Sequence, residues 1–436
     1  MKQRILLFAL LYATTLTQAQ VGIGTNTPNA SSQLDVSSTS KGFLPPRMTA
    51  AQRNAISTPV AGLMVWCSNC GSKGEIQIYD GTEWVNFIGG SRQMSAATFA
   101  KLGSDIEGEA SNDLSGNAVA FSSDGTTVAI GAPNNDGSGT DAGHVRVYKN
   151  NAGNWTQIGA DIDGEAADDY SGFSVSISSD GTTVAIGAPN NDGSGTEAGQ
   201  VRVLKNIAGN WTQIGADMDG EAAGDFSGYS VSISSDGTIV AIGAPLNDGS
   251  GSNAGQVRVY QYNSSTSIWT PIGADIDGEA AGDFFGNSVS ISSDGTTLAI
   301  GARLNDGSGI DAGQVRVYKS NAGNWTQIGA DMDGEAAGDN FGYFVSISSD
   351  GTTVAIGAPH NDGSGTAAGH VRVYKNNAGT WTQIGADFDG EAAGDFFGNS
   401  VSISSDGTKV AIGAPRNDGS GPDAGQVIVY LNIGSL

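Results

Sequence analysis

The sequence predicts an all-β chain: a six-bladed β-propeller of four-stranded antiparallel blades, closed by an N-terminal strand and preceded by a small, mostly irregular and β module. Two observations carry this. A unit recurs six times, marked by Asp-Gly steps at Asp124, Asp180, Asp236, Asp294, Asp350 and Asp406, which lie 56, 56, 58, 56 and 56 residues apart. Trp155, Trp211, Trp269, Trp325 and Trp381 keep the same beat. Within each unit, polar and apolar residues alternate with period two and no helical period is present, the pattern of repeated strands.

In the second copy, residues 174–178 (SVSIS) make a first strand. Asp180-Gly181 then supplies a tight hairpin, since both residue types tolerate positive φ. Residues 183–186 form a second strand, ended by Gly187-Ala188-Pro189. A glycine-rich loop at 190–199 leads to a third strand at 200–204, and a turn at 206–210 leads to a fourth at 211–214. Four short strands per unit, six times over, are propeller blades. The last copy stops after its third strand at 425–430, whereas residues 99–105 align with 155–161 and place Phe99 in the tryptophan slot. This N-terminal strand is expected to complete the final blade and remove two open edges. An open solenoid is the structural alternative.

The unit resembles the FG-GAP repeat, the blade of the integrin α-subunit propeller and its bacterial relatives. Phe285-Gly286, Phe341-Gly342 and Phe397-Gly398 match FG, while the first three copies carry Ser115-Gly116, Ser171-Gly172 and Ser227-Gly228. Gly131-Ala132-Pro133 and its equivalents match GAP, except Gly301-Ala302-Arg303. The resemblance covers residues 97–436. Integrin propellers have seven blades, so six departs from them. The integrin-type calcium loop lies between the first two strands, where this chain has only Ser-Ser-Asp-Gly, so calcium is not carried over from the family.

Residues 1–19 read as a secretory signal: Lys2 and Arg4, an apolar run over 5–16, and cleavage after Ala19. The run is too short to span a bilayer. A secreted or cell-surface protein is expected, and a net charge of −25 argues against nucleic acid as a partner. Residues 20–96 form the separate module, with a short helix over 48–56 capped by Thr49 and a β-hairpin over 74–89. Its VGIGT, LDV and GFLPPRMTAAQR stretches resemble N-terminal segments of secreted Bacteroidota proteins. Cys67 and Cys70 are read as a local disulfide in an oxidising compartment. No βαβ pattern supports a redox motif, and two cysteines cannot supply four zinc ligands.

Alternate loops of an antiparallel blade share a face, so the two long acidic loops of every unit gather carboxylates on one side of the disc. Repeated positions carry Asp105, Glu107, Glu109 and Asp113; Asp161, Asp163, Glu165 and Asp169; Asp217, Asp219, Glu221 and Asp225; Asp275, Asp277, Glu279 and Asp283; Asp331, Asp333, Glu335 and Asp339; and Asp387, Asp389, Glu391 and Asp395. Two readings stand. Oxygens at alternate positions with a glycine for the turn suit calcium, and acids also cap turns through backbone N–H groups. The tryptophans are read as packing between blades. Arg146, Arg202, Arg258, Arg316 and Arg372, mid-strand, are expected to pair with acids of the same or the next blade. The position after Gly-Ala-Pro varies most between copies. His360 and Arg416 stand there and Arg303 replaces the proline one position earlier, so three consecutive blades carry basic groups, read either as a candidate patch for an anion or glycan or as neutral drift in a solvated loop.

The leading expectation is an exported binding or adhesion module presenting its long-loop face to an extracellular protein or polysaccharide, with calcium as a candidate cofactor. A propeller-fold polysaccharide hydrolase or lyase and a structural component of a surface assembly are the alternatives. With three histidines and no singular acid–base constellation, the chain is expected not to be an enzyme.

Overall fold

The computed structural model describes residues 21–23, 34–40, 43–70, 74–86, 102–419 and 421–432; the signal sequence lies outside them. The chain divides into two compact units, residues 1–100 and 101–435.

In the first unit, Val21–Ile23 pairs in parallel with Leu34–Val36. A four-stranded sheet runs in the order Arg47–Met48, Met64–Cys67, Glu75–Tyr79, Trp84–Asn86, so the hairpin is present. The helix spans Ala50–Asn54 and starts as predicted at Thr49, whose side chain accepts from the Gln52 N–H while Gln52 returns a bond to the Thr49 N–H. Such reciprocal bonds satisfy two donors that the first helical turn leaves free. Cys67 and Cys70 form the expected disulfide.

The second unit contains six repeated sheets. In blade 2 the order is Ser174–Ile177, Thr183–Ala188, Gln200–Ile207, Asn210–Gln213, antiparallel throughout. Its Asp180-Gly181 hairpin is present, but only the glycine of the pair takes positive φ, so the turn differs from one that holds both residues there. Asp180 accepts from Ser178 Oγ and from the Thr182 N–H and hydroxyl, and Gly181 takes φ +70°.

The apolar core lies between blades. Ala129, Val145 and Val147 of blade 1 pack on Ile177, Val184, Ile186 and Leu204 of blade 2, and four further clusters repeat this pairing along the chain. The FG and GAP motifs gain a physical reason here. A Cβ on Gly187 would lie 2.0 Å from the carbonyl oxygen of Gly228 in the next blade, and Gly131, Gly243, Gly301 and Gly357 meet Gly172, Gly286, Gly342 and Gly398 the same way. Only glycine permits that approach. On the opposite edge, serines form a ladder across blades, in which the N–H groups of Ser123, Ser179, Ser235, Ser293 and Ser349 donate to the carbonyls of Ser179, Ser235, Ser293, Ser349 and Ser405. The six inner strands surround a central cavity of about 850 Å³.

One feature differs from expectation. After each outer strand the chain adds a fifth, two-residue strand along the same edge, such as Ile162–Asp163 against His144–Val145. The buried Ile162, Met218, Ile276 and Met332 anchor it. The expected closing strand falls largely on residues that are not described. Phe99–Lys101 lie outside the described residues, and the sixth sheet is three-stranded among those described: Ser400–Ile403, Lys409–Ala414, Gln426–Leu431. The alignment that suggested closure does hold against blade 1. Trp155 Nε1 donates to the Leu102 carbonyl at 2.9 Å, as Trp211 does to Ile158 at 2.7 Å. Leu102 therefore stands where a preceding blade's outer strand would end, while the edge of Gln426–Leu431 stays unpaired among the described residues.

Candidate functional site

The acidic positions form a bonding network. Asp113, Asp169, Asp225, Asp283, Asp339 and Asp395 are buried. Each accepts from the side-chain amide of an asparagine in the other long loop, as Asp169 does from Asn191 at 2.9 Å, and from a backbone N–H of its own loop. The two long loops are thereby stitched together on one face. Asp161, Asp217, Asp331 and Asp387 accept from Gln157, Gln213, Gln327 and Gln383. The backbone carbonyls of Glu107, Asp163, Asp219 and Asp277 accept from Arg146, Arg202, Arg258 and Arg316. The same arginines pair with Glu109, Glu165, Glu221 and Glu279 at 3.4–3.6 Å, and Arg372 pairs with Glu335 and Asp387. Ile428 occupies the arginine position in the sixth copy.

The four acids of a unit are not brought to one point. Among the described residues, the groups of three ligating side chains that converge are Glu109, His144, Asp161 and Glu335, His370, Asp387. In each, an arginine already holds the glutamate. This is the geometry of ion pairing and turn capping.

The varied positions behave differently. Ahead of every Ser-Gly or Phe-Gly pair, one residue (Leu114, Tyr170, Phe226, Phe284, Asn340 or Phe396) adopts φ between 55° and 56°. A bulky side chain in that region costs about 1–2 kcal/mol. Repetition in all six blades makes the turn itself structural, yet four copies spend it on an aromatic ring.

Two of those rings, Phe284 and Phe396, together with Tyr343 after the fifth blade's Phe-Gly pair, receive the basic residues. The Arg303 guanidinium lies 5.3 Å from the Phe284 ring and 5.6 Å from Tyr343. The His360 ring is 6.4 Å from Tyr343 and 5.1 Å from Phe396, and Arg416 lies 4.8 Å over Phe396. The three residues named from sequence therefore join into one arc across three blades: Phe284, Arg303, Tyr343, His360, Phe396, Arg416. Arg303 and Tyr343 line the central cavity. Where other blades have proline, Arg303 has an N–H, and Asn287 accepts from it at 3.1 Å.

Neither Arg303 nor Arg416 forms an ion pair among the described residues, whereas every mid-strand arginine does. Arg303 Nε and His360 Nδ1 are buried without a hydrogen-bond partner. Burial, reinforced by Arg303, holds the His360 pKa below its ordinary value. The aromatic half of the arc escaped sequence reasoning. Its signal was the variation at the residues flanking the FG pair, ahead of it for Phe284 and Phe396 and after it for Tyr343, which becomes meaningful only once the turns bring those rings to the loops that carry the basic residues.

No curated protein matches the chain. Residues 22–101 match a family described as a phage tail-like trimerisation region. Similar solved structures include a Pseudomonas aeruginosa periplasmic gluconolactonase (17% identity, 85% of this chain and 95% of that one, TM-score 0.48). A Bacteroides uniformis protein described as a 6-phosphogluconolactonase is also similar (12%, 83% and 96%, TM-score 0.49), as is Kuenenia stuttgartiensis hydrazine synthase (13%, 82% and 90%, TM-score 0.47). Enzymes among these neighbours overturn the expectation that the chain is not an enzyme, and we withdraw it; the likeness assigns no activity to this chain. No described helix is long and apolar enough to cross a membrane. The FG-GAP repeat matches at residues 160–204, 216–260, 276–318, 330–374 and 387–430, together half of the chain, and the chain belongs to the FG-GAP repeat family.

Proposed function

We propose that the protein is an exported, trimer-forming binding protein whose propeller holds an acidic carbohydrate on the Arg303–His360–Arg416 arc. The observation that carries this is a pair of arginines without carboxylate partners in a chain of net charge −25. Each guanidinium lies over an aromatic ring, and a cation over a ring gains about 0.5–2 kcal/mol depending on desolvation. Guanidinium groups suit bidentate recognition of carboxylate or sulfate, while the half-buried rings of Phe284, Tyr343 and Phe396 offer apolar surface to a sugar. Export is supported by the leader-like first 19 residues, and trimer formation by the match over residues 22–101.

The test is calorimetry and a glycan array with acidic and neutral oligosaccharides, with released product followed in parallel. Acidic glycans should bind and neutral ones should not. The triple variant Arg303→Ala, His360→Ala, Arg416→Ala should weaken binding at least tenfold at unchanged Tm. Equal binding of both glycan types, or an unaffected triple variant, ends this reading; product release would replace it with a catalytic one.

A further inference from the structure

The central cavity carries a charge pattern opposite to that of the chain. Of the described residues that line it, Arg303 alone is charged and none is a carboxylate, in a protein of net charge −25. Along the inner strands its lining begins at their first residues, Asn117, Phe173, Tyr229, Asn287, Tyr343 and Asn399. It ends at the third or fourth, such as Val231 and Ser176, and on the blade 6 side it reaches Gly413 and Val427. The serine ladder of the opposite face lies beyond this lining. The cavity is thus a well sunk from the face that bears the arc.

Arg303 is fixed at its mouth. Asn287 accepts from the Arg303 N–H at 3.1 Å and donates to the carbonyls of Gly342 and Tyr343, while Asn340 donates to the Arg303 carbonyl at 3.2 Å. Arg303 Nε is buried with no hydrogen-bond partner, and a buried donor left so is costly until an acceptor reaches it. Tyr229 packs on Phe173 with ring centroids 5.0 Å apart. Burial raises the pKa of its hydroxyl and Arg303 works against that rise, so the two groups lie within electrostatic reach.

We propose that this well takes the acidic end residue of a saccharide, its carboxylate on Arg303 and its ring between Tyr229 and Tyr343, with the rest of the chain leaving along His360 and Arg416. The inference rests on the acidic-carbohydrate reading above and narrows it to chain ends. A residue from the middle of a polysaccharide could reach the well only if both flanking stretches left through one mouth. An end needs a single exit, and the arc supplies it. The cavity of about 850 Å³ falls within the range of small-molecule sites, about 300–1,000 Å³. Ser400 and Ser402, exposed on its wall, and the asparagines of the mouth offer partners to sugar hydroxyls. A lining without carboxylates spares an entering anion the repulsion of close like charges.

Calorimetry on the full chain, with short galacturonate oligomers and with long polygalacturonate of known length, tests this. One protein should bind per saccharide chain at every length; several per long chain, in proportion to its length, overturns the proposal. Two variants probe the well without touching the arc. Ser400→Phe narrows it and should fold, because Phe344 already stands at the equivalent position of blade 5. Tyr229→Asn gives blade 3 the residue that blades 1, 4 and 6 carry there. Ser400→Phe should weaken oligomer binding at least tenfold at unchanged Tm, and Tyr229→Asn at least fivefold. Full binding by both variants, where the triple arc variant has lost it, sinks the well and leaves the arc. Failure of the unaltered protein to bind either form of galacturonate sinks both readings.

Discussion

His144 and His370 occupy a slot that Gln200, Gln256, Gln314 and Gln426 fill in the other blades. Both are about 1% exposed, and burial pushes their pKa below the ordinary 6.5, opposed by nearby Asp161, Glu109 and Asp163 for the first and by Asp387, Asp339 and Asp389 for the second. Arg146 pushes His144 further in the same direction as burial. A base whose folded pKa is depressed binds fewer protons folded than unfolded, so its contribution is intact above the unfolded value and is lost as pH falls below about 6.5 toward the folded pKa. Tm should therefore drop between pH 7.5 and 5.5. His144→Gln with His370→Gln should fold, because four blades already use glutamine there, and should flatten that slope; an unchanged slope would remove these histidines as its source. The repeat made the slot legible in sequence. What stayed hidden was its burial, because a third-strand residue next to an acidic loop reads equally well as exposed.

The element that ties blades together is the outer strand with its tryptophan. Trp269 is buried and donates to the Ile214 carbonyl of the preceding blade at 2.7 Å, and the bond recurs at Trp211, Trp325 and Trp381. Packing between blades was readable from the beat of the tryptophans; the indole hydrogen bond was not, because its acceptor is a backbone group in another repeat. Trp269→Phe keeps most of the apolar area and leaves one carbonyl unpaired, which should cost about 1–2 kcal/mol in urea unfolding. Trp155→Phe should cost less, since its ring lies 6.2 Å from the exposed Phe121. Equal losses at both sites would mean that the first blade is as well covered as the third. The strand pattern itself was plain, because period-two alternation survives in every copy. The fifth short strand was missed because Asp-Ile-Asp reads as part of an acidic loop until its central residue is seen to be buried.

At the scale of the whole molecule, one charge imbalance acts on two processes with opposite signs. A net charge of −25 means that compaction brings like charges together, and self-repulsion of this kind weakens the folded state. The local Arg–Glu pairs run the other way, but their glutamates are half-exposed, and such pairs contribute little, about 0–1 kcal/mol each. Screening should therefore relieve more repulsion than it removes attraction, since the Debye length falls from about 30 Å at 0.01 M salt to about 3 Å at 1 M. Ligand capture on the arc depends instead on attraction between Arg303, Arg416 and an anion, against a background field that repels it. Raising sodium chloride from about 20 mM to about 500 mM should thus raise Tm by several degrees while weakening acidic-glycan binding severalfold. Differential scanning fluorimetry and calorimetry on the same samples read both effects. If binding held while Tm rose, the ligand would be recognised through the aromatic faces alone. If Tm fell, the ion-pair network would outweigh the repulsion of the whole.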